Sequence, residues 1–327
     1  MTTNAPPTSA IIADACFSDL KNYIVAATGM EYYTTRPHAL AEHVRSRILE
    51  NGLNECREYW DFLRDDRFSD EELDRLTERL TIGETHFFRH REVFDALRDK
   101  VLPEMLDRNR ATQRLRVWSA GCSTGPEAYS ISILLRRELV ARTRDWNISI
   151  VGTDINRLAL SQAGAGRYEE WAFRGTPPEL RTECFEQDGS AWRIADRFRD
   201  GVTFQYHNLA RHPVPSLTHN LAAFDLIFCR NVLIYFAAEA VERIVSQLAE
   251  CLVPGGWLVI GHAEHGAKCL SALEAVTSQG TTLYRKPAVA FADAASLIGD
   301  ERTVSDTCQR VCRNSAELQE GGRVFAS

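Results

Sequence analysis

Residues 114–139 read RLRVWSAGCSTGPEAYSISILLRREL, and they indicate the class of fold. The first eight residues are typical of a short strand closed by a glycine, and PEAYSISILLRREL (126–139) has the length and apolar spacing of a helix. The same order returns downstream, where NISIVGTDI (147–155) predicts a second strand and NRLALSQAGAG (156–166) a second helix. Strands that alternate with helices indicate a mainly parallel sheet with right-handed crossovers.

Further segments continue this pattern towards the C-terminus. Ala238–Leu252 carries its apolar residues on one face of a predicted helix. The sequence therefore predicts one α/β domain over residues 96–286. Its additional strands are expected at VTFQYHNL (202–209), FDLIFCRN (224–231), GWLVIGHA (256–263) and TTLYRK (281–286).

An insert, residues 168–201, separates the second helix from the third strand. Within it, Asp188-Gly189 is a hairpin signal between the short runs CFEQ and AWRI. We therefore expect a small β-rich subdomain attached to the main sheet. After the last strand, residues 287–327 are poor in aromatic side chains, and we expect a flexible C-terminal tail.

Residues 13–95 have a helical pattern throughout. Ser69 and Glu72 have the spacing of a capping box at the start of the last helix. We expect an all-helical N-terminal domain, preceded by a disordered N-terminus over residues 1–12. Apolar residues three and four apart mark its helices at 17–29, 36–53, 55–66 and 69–81.

Composition narrows the class of protein. The chain has 327 residues and a net charge of −7, which disfavours nucleic acid as the main partner because phosphate binding needs a basic surface. No apolar run approaches the ~20 residues of a membrane helix, and no secretory signal is evident, so we expect a cytoplasmic protein without direct membrane insertion. The nine cysteines form no CxxC pair, and Cys308 and Cys312 are expected to be free thiols, so we predict no metal site. Nothing in the sequence requires more than a monomer.

Ligands of such sheets bind beyond the carboxyl ends of the strands, where this chain has polar residues. The first strand ends in the glycine-rich loop 121–125, which Glu127 follows, and the second strand ends in Asp154. A tight turn would explain the loop equally well, and Asp154 is also a good helix cap. Together, the loop and the acid favour a nucleoside ligand, because an acid at this position binds ribose hydroxyls.

Two later strands end in Asn208 and in Arg230-Asn231, and the segment GETHFFRHR (83–91) precedes the sheet. That segment is either a linker whose aromatic residues dock on the helical domain or a flap over the ligand, with Arg89 meeting a carboxylate. The glycine loop is GxxxG and lacks the GxGxxG of dinucleotide enzymes. These residues together favour a ligand that has a ribose, a carboxylate and an amine, and such a ligand suggests S-adenosylmethionine. NAD suits this sequence less well.

Seven stretches together resemble the CheR family of chemotaxis receptor methyltransferases. In the order of the family, and over roughly residues 17–286, they are ETHFFR, VWSAGCSTGPEAYS, VGTDI, RGTPPELR, HNL, FCRNVLIYF and PGGWLVIGHAEH. The resemblance implies a class I, Rossmann-like methyltransferase domain with an inserted β-subdomain, behind a helical domain. It also implies transfer of methyl from S-adenosylmethionine, with S-adenosylhomocysteine as product, to glutamate side chains of the cytoplasmic helical domain of chemoreceptors.

The resemblance also places site residues. The family often has Asn where Gly83 stands and GEEPYS where this chain reads GPEAYS, so Glu127 is retained and a side-chain contact at Gly83 is lost. Tyr235 is expected to be the catalytic residue. Cofactor contacts are expected from Gly83, Thr85, Arg89, Glu127, Asp154, Asn208, Leu209, Arg230 and Asn231.

The expected reaction is direct displacement, in which a glutamate carboxylate attacks the sulfonium methyl. A carboxylate with a pKa of about 4.3 is already ionised at pH 7, so no general base is needed. Three alternatives stay open: a different acceptor such as a small acid, a binding protein without turnover, and an NAD oxidoreductase. A role in recognising an acidic helical bundle is a hypothesis for the basic part of the helical domain, Arg36, His38, His43, Arg45 and Arg47.

Overall fold

A seven-stranded sheet forms the centre of the computed structural model, which describes residues 6–261 and 268–288. Strands are numbered in chain order, and those of the insert form a second sheet: β3 (Arg167–Tyr168), β4 (Phe185–Asp188) and β5 (Ala191–Ile194). The strands of the central sheet are β1 (Arg114–Ala120), β2 (Asn147–Asp154), β6 (Val202–Tyr206), β7 (Phe224–Cys229), β8 (Leu252–Ile260), β9 (Glu274–Ser278) and β10 (Thr281–Arg285).

The order across the sheet is β6-β2-β1-β7-β8-β10-β9. The first five strands are parallel, whereas β10 runs antiparallel to both β8 and β9. All six residues of β7 are buried, as expected of a strand covered on both faces. The predicted, mainly parallel sheet is therefore confirmed. The chain order reverses between β1 and β7, and ligands of open α/β sheets bind at such a switch point.

Helices cover both faces of the sheet. On one face, α6 (Arg91–Ala96) continues through a π-helical turn into α7 (Leu102–Arg108), and α8 (Pro126–Ile133) packs beside them on the core of β1 and β7. On the other face, α13 (Ala238–Cys251) buries its apolar side against the same strands. Behind β2 runs α10 (Arg157–Ala165), and the short α9 (Val140–Thr143) precedes that strand.

The N-terminal domain is all helical, with its own core. The predicted disorder of residues 1–12 is wrong for α1, whose Ile11 is completely buried and therefore holds the helix against the domain. Residues 1–5 of that prediction lie outside the described part of the chain. The helices are α1 (Thr8–Ala13), α2 (Phe17–Thr28), α3 (Pro37–Glu50), α4 (Cys56–Leu63) and α5 (Ser69–Leu80).

The predicted capping box at the start of α5 is wrong. Ser69 is already the first helical residue, Phe68 precedes it, and no side chain caps this end. Glu72 turns inward instead, where its carboxylate accepts hydrogen bonds from Arg47 Nε and Nη2 at 2.8 and 2.6 Å and from the Tyr59 hydroxyl at 2.8 Å. The pairing of α3 with α5 thus depends on a buried ion pair.

The insert is the predicted small β-subdomain. Its sheet has the order β3-β5-β4, and the two-residue turn at Gly189 joins β4 to β5 as the hairpin signal predicts. Phe87, from the segment before the sheet domain, lies in its aromatic core. The elements are β3 (Arg167–Tyr168), α11 (Pro178–Cys184), β4 (Phe185–Asp188), β5 (Ala191–Ile194) and α12 (Asp196–Arg199).

The strand β9 was not predicted, because this edge strand has no buried residue and therefore no apolar alternation to recognise. The predicted tail (287–327) lies outside the described residues from 289 onwards, as do Cys308 and Cys312. Helical domain, insert and central sheet form one compact unit that ends at Pro287. Within residues 6–261 and 268–288, no helix combines the length and the apolar character needed to cross a membrane.

Candidate active site

A cavity opens at the carboxyl ends of β1, β2, β6 and β7, on the switch point of the sheet. Its volume, which includes solvent-filled space at the open mouth, is about 1060 Å³, and the helical domain contributes Thr28, Met30 and Leu80 to its wall. All ten site residues predicted from the sequence line it: Gly83, Thr85, Arg89, Glu127, Asp154, Asn208, Leu209, Arg230, Asn231 and Tyr235.

The glycine-rich loop after β1 approaches its neighbours closely at Gly121. A Cβ added there would lie 2.3 Å from Val232 Cγ2, and the φ of +74° also disfavours any other residue. Its backbone N–H donates to the Thr153 carbonyl at 2.7 Å, which ties the loop to β2. The glycine therefore lets the loops after β1 and β7 meet at the cavity.

Asp154 is not the cap of α10, because Asn156 holds that position and accepts a hydrogen bond from the Ala159 N–H at 2.8 Å. The two carboxylate oxygens of Asp154 accept from the backbone N–H groups of Ser123 (2.8 Å) and Asn156 (2.9 Å). Burial raises the pKa of Asp154, and these backbone hydrogen bonds oppose the rise. The carboxylate is thus fixed at the cavity by two loops.

Glu127, in the first turn of α8, forms an ion pair with Arg230 across the cavity wall. Arg230 Nη1 lies 3.2 Å from Glu127 Oε2, and the Ser119 hydroxyl donates to Oε1 at 2.8 Å. The side chains are only 2% (Arg230) and 15% (Glu127) exposed. Burial raises the pKa of Glu127, and the Arg230 guanidinium and the Ser119 hydrogen bond oppose that rise.

Arg230 also holds the segment 83–91. Its Nη2 donates to the Arg89 carbonyl at 2.9 Å and lies 2.7 Å from His90 Nδ1. Its Nε is buried and has no hydrogen-bond partner among the described residues. Arg230 therefore connects three elements through its hydrogen bonds: the end of β7, the start of α8 and the segment 83–91, which contains Arg89.

The aromatic residues of the segment 83–91 do not dock on the helical domain, contrary to the linker interpretation: Phe87 docks on the insert, and Phe88 packs against Phe94 of α6. Phe87 stacks on Phe173 with ring centroids 5.3 Å apart, and its N–H donates to the Ala172 carbonyl at 2.9 Å. Arg174 of the insert donates to Glu84 at 2.8 Å. The segment is a cavity wall that the insert supports.

Asn208 connects the sheet domain with the helical domain. It is 3% exposed, and its Nδ2 donates to the Ala27 carbonyl in the last turn of α2 at 3.2 Å. Its Oδ1 accepts from the Ala210 N–H at 2.9 Å, and Leu209 beside it is buried. The loop after β6 thus fixes the end of α2 at the cavity.

Tyr235 lies in a short 3₁₀ helix, Leu233–Tyr235, after β7. Its ring packs edge-on against Tyr32 of the helical domain, with centroids 5.9 Å apart. Asn231, which begins this loop, has a left-handed φ of 60°, as has Ser123 with 51° in the glycine-rich loop. Such conformations cost on the order of 1–3 kcal/mol each and are found where a site requires a fixed loop.

His86 and His207 also line the cavity, although neither was predicted as a site residue. His86 Nδ1 and His207 Nε2 are buried without a hydrogen-bond partner in the described part of the chain. Burial lowers the pKa of each imidazole to about 4, and the nearby Arg174 and Arg89 guanidinium groups contribute to the lower pKa of His86, so both are neutral at pH 7. Both could have been recognised from their position in the chain, because His86 is next to the predicted site residue Thr85 and His207 is next to Asn208.

The donor set of the cavity suits S-adenosylmethionine. Two carboxylates, Glu127 and Asp154, match a ligand that carries a sulfonium, an ammonium and ribose hydroxyls. Arg89 offers a guanidinium for a carboxylate, and the unpartnered Arg230 Nε and the histidine nitrogens offer further polar contacts.

Comparisons with known proteins agree with this site. The sequence model of the CheR methyltransferase SAM-binding domain matches residues 83–279. A probable chemotaxis protein methyltransferase of Rhizobium etli is 35% identical over 75% of this chain and 88% of its own length. Chemotaxis protein methyltransferase 2 of Vibrio cholerae is 30% identical over 85% of this chain and 94% of its own.

A third relative, chemotaxis protein methyltransferase 1 of Pseudomonas aeruginosa, is 30% identical over 77% of this chain and 90% of its own length. The chain therefore belongs to the CheR methyltransferase family and is a methyltransferase that uses S-adenosylmethionine.

Proposed function

We propose that this protein transfers methyl from S-adenosylmethionine to glutamate side chains of the cytoplasmic helical domain of chemoreceptors, which yields glutamate methyl esters. The observation that carries the proposal is the contact between the cavity and a basic surface. The Arg36 guanidinium lies 3.9 Å from the centroid of the Tyr32 ring, and Tyr32 in turn packs against Tyr235. An acidic acceptor helix bound at that surface would have its carboxylates beside the cavity.

The cavity residues support this chemistry as a set. We assign Asp154 to the ribose hydroxyls, Glu127 to the ammonium and Arg89 to the carboxylate of the cofactor. Gly83, Thr85, Asn208, Leu209, Arg230 and Asn231 complete the binding wall. Arg230 acts chiefly through Glu127 and the carbonyl of Arg89, because those contacts occupy both ends of its guanidinium.

The bound cofactor supplies an electrophilic methyl group, and a glutamate carboxylate accepts it by displacement. The acceptor is already ionised at pH 7, so the residues need only position it and exclude water. Alignment of reactants contributes about 7–11 kcal/mol in favourable cases. We assign this positioning to Tyr235, held by Tyr32. His86 is neutral at pH 7, with a pKa lowered to about 4, and is not required as a base.

The basic set predicted from the sequence divides in two. Arg36, His38 and Arg45 are exposed and are available to an acidic partner. Arg47 is 4% exposed and bound to Glu72, so it supports the fold and does not read the acceptor. His43 is half-buried, and burial lowers its pKa, which weakens any role as a cation.

The test is methyl transfer from labelled S-adenosylmethionine to membranes that carry chemoreceptors of the same cell. Base-labile label on the receptor, lost in Asp154→Ala and strongly reduced in Tyr235→Phe, supports the proposal. Tyr206→Phe is the matched control, because Tyr206 is half-buried and does not line the cavity. Receptors without label, despite binding of the cofactor, would favour a small-acid acceptor or binding without turnover. Cytoplasmic location and a monomeric state stay predictions.

A further inference from the structure

Two thiols and a carboxylate meet in the helical domain, outside the cavity. The residues are Asp14, Cys16 and Cys56, and one ligand atom of each lies within 4.8 Å of the other two. The two sulfur atoms are 3.5 Å apart, although 40 residues separate them in the sequence. The cysteines are 1% and 2% exposed, whereas Asp14 is partly exposed.

This arrangement has the dimensions of a tetrahedral metal site. Two thiolates at the usual Zn–S distance of about 2.3 Å from one ion are roughly 3.8 Å apart. The observed sulfur separation is close to that value, and the carboxylate lies within reach as a third ligand. The Cys16 N–H donates to Asp14 Oδ1 at 2.9 Å and so orients the carboxylate towards the sulfurs.

We propose that Asp14, Cys16 and Cys56 bind a divalent cation of the Zn²⁺ type, with a water molecule as fourth ligand. Thiolate and carboxylate donors together suit Zn²⁺ better than the hard cations Mg²⁺ or Ca²⁺, which prefer oxygen ligands alone. The partial exposure of Asp14 gives the ion a path from solvent and leaves room for the water. No CxxC motif marks this site, because its two cysteines come from helix starts that are far apart in the chain.

Charge balance requires the release of two protons. A cysteine thiol has an ordinary pKa of about 8.5, so the metal-free site holds two neutral SH groups at pH 7. Binding follows M²⁺ + 2 RSH → M(SR)₂ + 2 H⁺, and the Asp14 carboxylate adds one negative charge. The guanidinium of Arg57 lies close enough to all three ligands to offset that charge in part. The apparent affinity for the metal therefore increases with pH.

The site would join two helices of the helical domain, α2 and α4. Cys16 immediately precedes α2, whose far end reaches the cavity at Thr28, and Cys56 is the first residue of α4. An ion held by both cysteines fixes the start of α2 against α4. The proposed role is structural and does not depend on the methyl acceptor.

The experiment is Co²⁺ binding to the full-length protein, freed of metal by a chelator and kept reduced with a phosphine. We expect one equivalent of tetrahedral Co²⁺, with a thiolate charge-transfer band in the ultraviolet and strong visible d–d bands, and displacement by Zn²⁺. Cys16→Ser and Cys56→Ser should lose the bands. Cys308→Ser/Cys312→Ser is the matched control and should keep them, because it alters two other cysteines spaced four apart.

Wild-type protein without a charge-transfer band, or bands that persist in both single variants, would overturn the proposal. Asp14→Asn retains both cysteines and changes only a partly exposed side chain. It therefore tests whether the metal binds at this site even if the cysteine variants misfold. An unchanged Co²⁺ affinity in Asp14→Asn contradicts the site. Rapid formation of a Cys16–Cys56 disulfide without metal uptake, when the phosphine is replaced by hydrogen peroxide, would identify the pair as a redox couple instead.

Discussion

Replacement of Arg47 by methionine removes the cation from the buried network of the helical domain. Arg47 and Glu72 are 4% and 3% exposed, and the lost guanidinium had held both carboxylate oxygens of Glu72. A charge left unpaired in such a site destabilises a protein by about 3–5 kcal/mol. At about 2 °C per kcal/mol for a unit of this size, the thermal midpoint should fall by about 6–10 °C.

Differential scanning calorimetry measures this shift, and two further variants test its cause. Arg45→Met, on the exposed side of the same helix, should change the midpoint by only about 1 °C. The triple change Arg47→Met/Glu72→Met/Tyr59→Phe removes the whole polar network and should recover most of the loss, because apolar replacement of a buried pair is often close to neutral. A midpoint of Arg47→Met within 1 °C of wild type would refute the reasoning, as would equal losses in Arg45→Met and Arg47→Met.

Three further predictions concern the cavity. Asp154→Asn should weaken S-adenosylmethionine binding in calorimetric titration roughly 10- to 100-fold, since one charge-assisted hydrogen bond contributes about 1.5–3 kcal/mol; an unchanged Kd would place the ribose elsewhere. Gly121→Ala should abolish binding because its Cβ would lie 2.3 Å from Val232, and Val232→Ala in the same protein should restore part of it; no rescue would mean that the φ alone matters. His86 and His207 have pKa values of about 4 in the folded protein and about 6.5 in the unfolded chain. Between these pH values the unfolded chain binds more protons, so the free energy of unfolding should decrease as pH drops from 6.5 to 4. Urea titrations should show a smaller loss in His207→Asn, and an equal loss would contradict the assignment.

The sheet could be predicted because its strands are continuous apolar runs with polar residues at their ends. Asp154 and Arg230-Asn231 follow such runs directly, and parallel strands bring their carboxyl ends to one edge. The edge strand β9 could not be recognised because none of its residues is buried. In α1 only Ile11 is buried, which is too little apolar periodicity to predict a helix.

The roles of the charged residues were harder to predict, because they depend on partners far away in the chain. Arg47 has the spacing of a surface residue on a basic helix, and only Glu72, 25 residues later, explains its burial. Arg230 and Glu127 are 103 residues apart in the sequence. The sequence could therefore assign both residues to one cavity without indicating that they bind each other. Nothing in the sequence around His207 indicates that its imidazole is buried at the cavity.

The hydrogen bond from Asn208 to the last turn of α2 has a thermodynamic consequence. The cavity needs walls from the helical domain and from the sheet, so a ligand that fills it binds only when both are folded. At a free concentration 100 times its Kd, such a ligand adds about 2.7 kcal/mol to the free energy of unfolding. The two parts then unfold as one cooperative unit. The helical domain carries no nucleotide-binding motif, yet its stability depends in part on the concentration of the methyl donor.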